Sequence, residues 1–229
     1  MCVPYLGGGT QVFRGWSEEL RGLADVLVVQ YPGIGARVAE PPAKSLRAIA
    51  GGVVSAVAAD MTGPFALMGY SMGAIVAFEA ARLILANRMR PPASLIVAAH
   101  AAPQVPWPHR PVSSGTDDEV IAHIRRYEGN PEPVMADPEL AAVFMPVIRA
   151  GLRAMESYAP PATEPMAIPL LAICGDADPT VSRAEMDGWR EHTSDSFHLA
   201  AVPGGHFFLH QSPSQTLDLV RSQLQLVAV

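Results

Sequence analysis

Short apolar runs bounded by Gly or Pro alternate along this chain with segments of helical periodicity, and that alternation restricts the fold more than any other feature. "VLVVQY" (26–31), "PFALMGY" (64–70), "SLIVAA" (94–99), "PLLAIC" (169–174) and "DSFHLAAV" (195–202) read as strands. Runs that are mostly continuous in their apolar residues mark strands buried on both faces, as in parallel sheets. "SLRAIAGGVVSAVAAD" (45–60), "AIVAFEAARLILA" (74–86) and "SQTLDLVRSQLQLV" (214–228) read as helices. Ser45 is placed to cap the first of them, although its Gly51-Gly52 pair lowers helix propensity. The alternation predicts an α/β fold with a mostly parallel, doubly wound sheet. Residues 116–158 break the rhythm. "TDDEVIAHIRRYEG" and "DPELAAVFMPVIRAGLRAMESY" are helical in pattern with no strand between them, and Asp117 and Asp137 mark helix starts, the second followed by Pro138. An all-helical insertion predicts a lid; two ordinary packing helices are the competing reading.

Composition narrows the class. The chain has 229 residues, 49% hydrophobic and 17% charged, which suits one globular domain over 1–229. A net charge of −6 argues against non-specific nucleic-acid binding, which depends on Lys and Arg neutralising phosphates. Two cysteines, Cys2 and Cys174, indicate no disulfide scaffold and fit a reducing compartment. "MCVPYLGGGT" lacks the basic and apolar regions of a signal peptide, and no apolar stretch is long enough to span a bilayer, so a cytoplasmic protein is expected.

The stretch "GYSMG" (69–73) sits where a buried strand meets a helix. A G-x-S-x-G motif is weak alone, but a strand before it and a helix after it make it a nucleophile elbow: a sharp turn that lifts the Ser71 hydroxyl out of the sheet, with small residues on either side. The helix start supplies free N–H groups, so the Met72 N–H faces a developing oxyanion. Helix capping alone is the competing reading of Ser71. A nucleophilic serine needs a base, and the base an orienting acid, in the chain order Ser, Asp or Glu, His on such a fold. Of seven histidines, His100 and His109 precede the later strands, His123 falls in the helical insertion, His192 in a polar helix end, His198 in a strand, and His210 at a helix approach. His206, in "VPGGHFF" just past a strand and behind two glycines, occupies the place of a base. "LLAICGDADPTV" (170–181) offers Asp176 and Asp178 as the acid, and spacing does not separate them. The glycines of "VPYLGGG" (3–9) permit close backbone approach, making Leu6 or Gly7 the second oxyanion donor. No phosphate-loop, dinucleotide or metal-ligand spacing is present.

The blocks "PYLGGG", "VLVVQYPGIGAR", "PFALMGYSMGAIVAFEAAR", "DPELAAVFMPVIRAGLRAMESY", "CGDADPTV", "WREHT" and "PGGHFFLH" run nearly end to end. Together they resemble the type II thioesterases of the α/β-hydrolase superfamily, the stand-alone editing enzymes of polyketide and nonribosomal peptide assembly lines. The resemblance implies Ser71 as nucleophile, His206 as base, Asp178 as its partner, Leu6 and Met72 as oxyanion donors, and 116–158 as a helical lid. It implies hydrolysis of acyl thioesters held on the phosphopantetheine arm of an acyl or peptidyl carrier protein, without a cofactor. The same triad would also serve acyl transfer, cyclisation or oxygen-ester hydrolysis, and a non-catalytic carrier-binding module is the remote alternative. Arg88 and Arg90 are candidate docking charges, with a solvated face the favoured reading of both. The chain departs from the family at Tyr70, where His is usual, and at Ile34, where Arg is usual.

Overall fold

The computed structural model describes residues 1–106, 110–128, 136–160, 162 and 164–227. Its centre is a five-stranded sheet in which β1 (Cys2–Val3), β2 (Ala66–Tyr70), β3 (Ser94–Ala98), β4 (Leu170–Gly175) and β5 (Phe197–Val202) lie side by side in chain order, every pair parallel. Alternate residues feed two separate cores, because strand side chains point to opposite faces. Leu67, Leu95, Val97 and Leu170 pack with α2 (Leu46–Asp60) and α3 (Met72–Ala86). Met68, Ile96, Leu171 and Ile173 pack with α1 (Trp16–Glu19) and α8 (Pro213–Val227) on the other face. The sheet is therefore doubly wound, as the alternation predicts. Ser45 caps α2 through its hydroxyl, which accepts the Ala48 N–H at 3.1 Å.

The run 26–31 is not a strand buried on both faces. It forms a single bridge, Val28 to Cys2, and Leu27 is 41% exposed. The bridge lies outside β1, so only one neighbour covers it, and β1 offers just two residues to pair with. Its valines reflect a half-covered edge. This edge has a consequence for function. The chain leaves β1 toward the Val28 edge and returns on the other side of β1 to make β2. Connections that diverge from two adjacent strands leave a crevice at their carboxyl ends, where open α/β sheets bind ligands.

Two helices between β3 and β4 roof that crevice. α4 (Asp117–Arg126) starts with a capping box in which Thr116 and Glu119 exchange hydrogen bonds. α5 (Pro138–Glu156) starts at Asp137, whose carboxylate accepts the Glu139 and Leu140 N–H groups, with Pro138 in the first turn. Residues 129–135 of the 116–158 segment, residue 228 of the closing helix and His109 lie outside the described residues. α6 (Arg183–Asp187) and α7 (Phe208–Gln211) are single turns that follow β4 and β5.

Candidate active site

Ser71 sits between β2 and α3 with φ +54° and ψ −124°, a backbone conformation that side chains rarely adopt. Its N–H donates to Ala98 O at 2.8 Å, and its carbonyl accepts the Ala74 N–H at 2.8 Å, so the turn is held from both strand and helix. The flanking glycines are steric requirements. A Cβ on Gly69 would lie 2.0 Å from the Gly73 carbonyl oxygen, and one on Gly73 would lie 2.2 Å from that of Val3.

Three sequence-predicted residues converge here. His206 Nε2 lies 3.0 Å from Ser71 Oγ, and His206 Nδ1 lies 2.9 Å from Asp178 Oδ2. Both side chains of the His–Asp pair are almost fully buried, 3% and 0% exposed. With Nδ1–H donating to Asp178, Nε2 carries the lone pair and accepts from the Ser71 hydroxyl. The other carboxylate oxygen of Asp178 accepts from the Thr180 N–H (2.8 Å), the Thr180 hydroxyl (2.7 Å) and the Val181 N–H (3.2 Å). Burial works against ionisation of Asp178, but the His206 contact and the Thr180 donors together hold its pKa below the usual value. Asp176, level with Asp178 in the sequence, does different work: its carboxylate accepts the Gly204 N–H at 3.0 Å and shapes the loop ahead of His206.

The oxyanion candidates line the same cavity as Ser71 and come from two elements. Met72 opens α3, where first-turn N–H groups have no intrahelical acceptor. Leu6 and Gly7 occupy the centre of a turn closed by Gly8 N–H to Tyr5 O at 2.9 Å, with Gly7 at φ +76°, a value that glycine takes without strain. Among the described residues the Leu6 N–H has no acceptor.

A model of the Thioesterase domain matches residues 1–224. The chain is 34% identical over 226 residues to the gramicidin S biosynthesis protein GrsT of Aneurinibacillus migulanus, covering 99% of this chain and 88% of that one. It is 37% identical over 211 residues to the thioesterase PikA5 of Streptomyces venezuelae, covering 92% and 75%. The chain belongs to the thioesterase family. The solved structure of the type II thioesterase BorB from the borrelidin biosynthetic cluster matches with a TM-score of 0.87 and 34% identity, over 97% of this chain and 91% of that one. The thioesterase thus has the α/β-hydrolase fold that the resemblance implies, and its structural neighbours include type II thioesterases from the borrelidin biosynthetic cluster and from the yersiniabactin NRPS/PKS pathway.

The thioesterase holds a cavity of about 670 Å³ that reaches Ser71 and His206 and is walled mostly by apolar side chains, among them Met72, Val105, Phe144, Ile148, Leu152 and Met155. Of the other described histidines, His100, His123 and His210 line this cavity, His192 pairs with Gln104 and His198 is exposed on β5. Cys2 and Cys174 are both free and buried. No helix among the described residues is long and apolar enough to cross a membrane.

Three contributors escaped the sequence reading. The Tyr70 hydroxyl donates to the His206 carbonyl at 2.6 Å and accepts the Leu209 N–H at 3.3 Å, so the residue that replaces the family's usual His anchors the histidine loop. Burial pushes its phenol well above the ordinary pKa, against the smaller lowering effect of the Leu209 N–H, which keeps the donor protonated. Thr180 buttresses Asp178; the Asx-turn composition of "DPT" is the signal for it. Glu128, at the end of α4, accepts the His206 N–H at 3.2 Å and carries no local signal at all.

Proposed function

We propose that this thioesterase cleaves acyl thioesters through an acyl-Ser71 intermediate. The observation that carries the reading is the chain Ser71 Oγ, His206 and Asp178, linked at 3.0 and 2.9 Å, opening into the apolar cavity. Ser71 Oγ attacks the thioester carbonyl while His206 Nε2 takes its proton. Asp178 keeps the imidazole in the right tautomer and stabilises the imidazolium that forms. The N–H groups of Met72 and Leu6 receive the oxyanion, each contributing about 3 kcal/mol to the transition state. The tetrahedral adduct collapses, the thiolate leaves with the proton from His206, and the acyl group stays on Ser71. His206 then activates a water, which releases the acid and restores the serine. No metal or organic cofactor enters these steps.

The acyl group is presented on the phosphopantetheine arm of a carrier protein in polyketide or nonribosomal peptide synthesis, as the relatives' pathways suggest. The apolar cavity suits the acyl chain, and residues 116–158 act as its lid within one domain spanning the chain. Arg88 and Arg90 are poor candidates for docking that carrier. They follow the far end of α3, whose 15 residues span roughly 22 Å away from Ser71 at 1.5 Å per residue. Hydrolysis of acyl-N-acetylcysteamine and of acyl-carrier protein tests the reading. Ser71→Ala is expected to lower kcat by at least about 10⁴-fold and to abolish fluorophosphonate labelling. Retained hydrolysis in that variant would overturn the mechanism.

A further inference from the structure

The loop that carries His206 is held through its peptide groups, one side chain to each. The Pro203 carbonyl accepts the Ser212 hydroxyl at 2.7 Å. The Gly204 N–H goes to Asp176 at 3.0 Å and the Gly205 N–H to the Gln211 amide oxygen at 2.8 Å. The His206 carbonyl takes the Tyr70 hydroxyl at 2.6 Å, and the His206 N–H goes to Glu128 Oε2 at 3.2 Å. Asp176, Gln211, Ser212 and Tyr70 all stand on or beside the sheet and its following turn. Glu128 differs, since it comes from the helical roof, 78 residues away in sequence.

Three further features fit Glu128 to this task. Its backbone sits at φ +58°, a left-handed conformation that costs a non-glycine residue on the order of 1 kcal/mol or more, so the chain is bent there against its preference. Gly205, the preceding residue of the histidine loop, leaves room for it: a Cβ there would lie 1.6 Å from Glu128 Oε2 and would turn the carboxylate away. Its neighbour Tyr127 stacks edge-on against the His206 ring, with centroids 4.9 Å apart. Two consecutive roof residues therefore engage the histidine, one at its ring and one at its peptide.

We infer that Glu128 is a positioning residue for the base: its carboxylate, delivered by α4, fixes the His206 peptide and thereby the aim of Nε2 at Ser71. This rests on the assignment of Ser71 and His206 made above. The roof then has a role in the chemical step in addition to walling the cavity. Ile124 and Tyr127 line the same cavity as Glu128, so the helix that touches the acyl chain also holds the base.

The full chain can be tested with acetyl- and decanoyl-N-acetylcysteamine as the two substrates. Glu128→Gly removes the carboxylate and suits φ +58°, so the melting temperature is expected to hold or rise. The kcat is expected to fall about 10-fold on both substrates with KM within two-fold, the size of one lost charged hydrogen bond. Glu128→Gln keeps an acceptor oxygen and is expected to recover at least half of the wild-type kcat. The inference is overturned if Glu128→Gly keeps kcat within two-fold on both substrates, or if its only effect is a raised KM for the decanoyl substrate. It is also overturned if Glu128→Gln is as impaired as Glu128→Gly, or if both variants lose activity in proportion to lost melting temperature. Ser71→Ala run alongside separates the two levels: an active Ser71→Ala sinks the triad reading, whereas an inactive Ser71→Ala beside a fully active Glu128→Gly sinks only this one.

Discussion

The floor and the roof of the cavity are built by different means. In the floor, backbone meets backbone. Gly69 abuts Gly73, Gly73 abuts the Val3 and Pro4 carbonyls, and Gly175 abuts the carbonyls of Gly204 and Gly205, each closer than a side chain could tolerate. In the roof, side chains join one segment to the next. Glu156 accepts the Val112 and Ser113 N–H groups at 2.7 and 3.0 Å, and Arg149 donates to Ser113 O at 2.9 Å. Tyr158, just past α5, donates to the buried Glu79 of α3 at 2.8 Å, and Val120, Met145 and Leu152 form a small core of their own. Backbone contacts leave no tolerance for adjustment, whereas side-chain contacts can shift by a rotamer. The floor can therefore fix a reaction geometry, and the roof can differ in shape without disturbing it wherever it does not carry Tyr127 and Glu128, which engage His206.

The largest effect should come from separating the two aspartates of the floor. Asp178→Asn leaves the volume unchanged but removes the charge facing the imidazolium and puts an amide where His206 Nδ1 needs an acceptor, so kcat should fall by about 10⁴-fold. Asp176→Asn keeps an oxygen for the Gly204 N–H and should stay within about three-fold of wild type. Steady-state hydrolysis of a soluble thioester checks both. Equal losses in the two variants would mean that the loop's shape, and not the Asp178 carboxylate, carries the effect.

A methyl group placed in each region sharpens the contrast. Gly73→Ala would push a Cβ to 2.2 Å from Val3 O and 2.5 Å from Pro4 O, and neither backbone can yield without moving β1. We expect a loss of stability above about 4 kcal/mol in urea denaturation, beyond the usual range for a point substitution. Gly151→Ala, on α5, meets Leu6 Cδ1 at 2.1 Å and Met72 Sδ at 3.5 Å. Side-chain ends can rotate away, and alanine raises helix propensity by up to about 1 kcal/mol, so stability should change by less than about 2 kcal/mol. Activity should fall several-fold all the same, because the displaced side chain belongs to Leu6, whose N–H we propose as an oxyanion donor. A Gly151→Ala variant that loses as much stability as Gly73→Ala would erase the distinction between the regions.

The same division explains what the sequence made legible. Floor geometry is local: "GYSMG" needs only its five residues and the strand and helix beside them to announce the elbow, and "PGGH" needs only two glycines after a strand. Asp176 and Asp178 were inseparable by spacing because both follow the same strand, and their difference lies in which one faces a histidine 28 residues further on. Tyr70 was visible as a departure but not as an anchor, since its partner carbonyl is 136 residues away. Glu128 was invisible for the same reason. The run 26–31 misled in the opposite direction: valine-rich periodicity reports burial and strand preference, but not how many neighbours a strand has, and here there is one.

The smallest effect we predict is a pH dependence seated in the floor. His100 follows β3 and lines the cavity, with its Nδ1 2.7 Å from Ala101 O. Burial lowers its pKa to about 4, against a raising effect from the Ala101 carbonyl and with a further lowering from nearby His206. The unfolded chain therefore takes up a proton at this residue near pH 6.5, while the folded protein does so only near pH 4. Between those values the unfolded state binds more protons, so this group removes stability as pH falls from about 6.5 to about 4 and adds no further loss below that. Asp178 acts lower: its depressed pKa contributes stability above the ordinary carboxylate value, and that contribution is lost as pH falls through the folded-state value. His100→Asn retains a donor for Ala101 O and removes the titration. Its melting temperature should decline less than that of the wild type between pH 6.5 and 4.5, by a few degrees, and the two curves should run parallel above pH 7. Parallel curves throughout would place the acid sensitivity elsewhere than at His100.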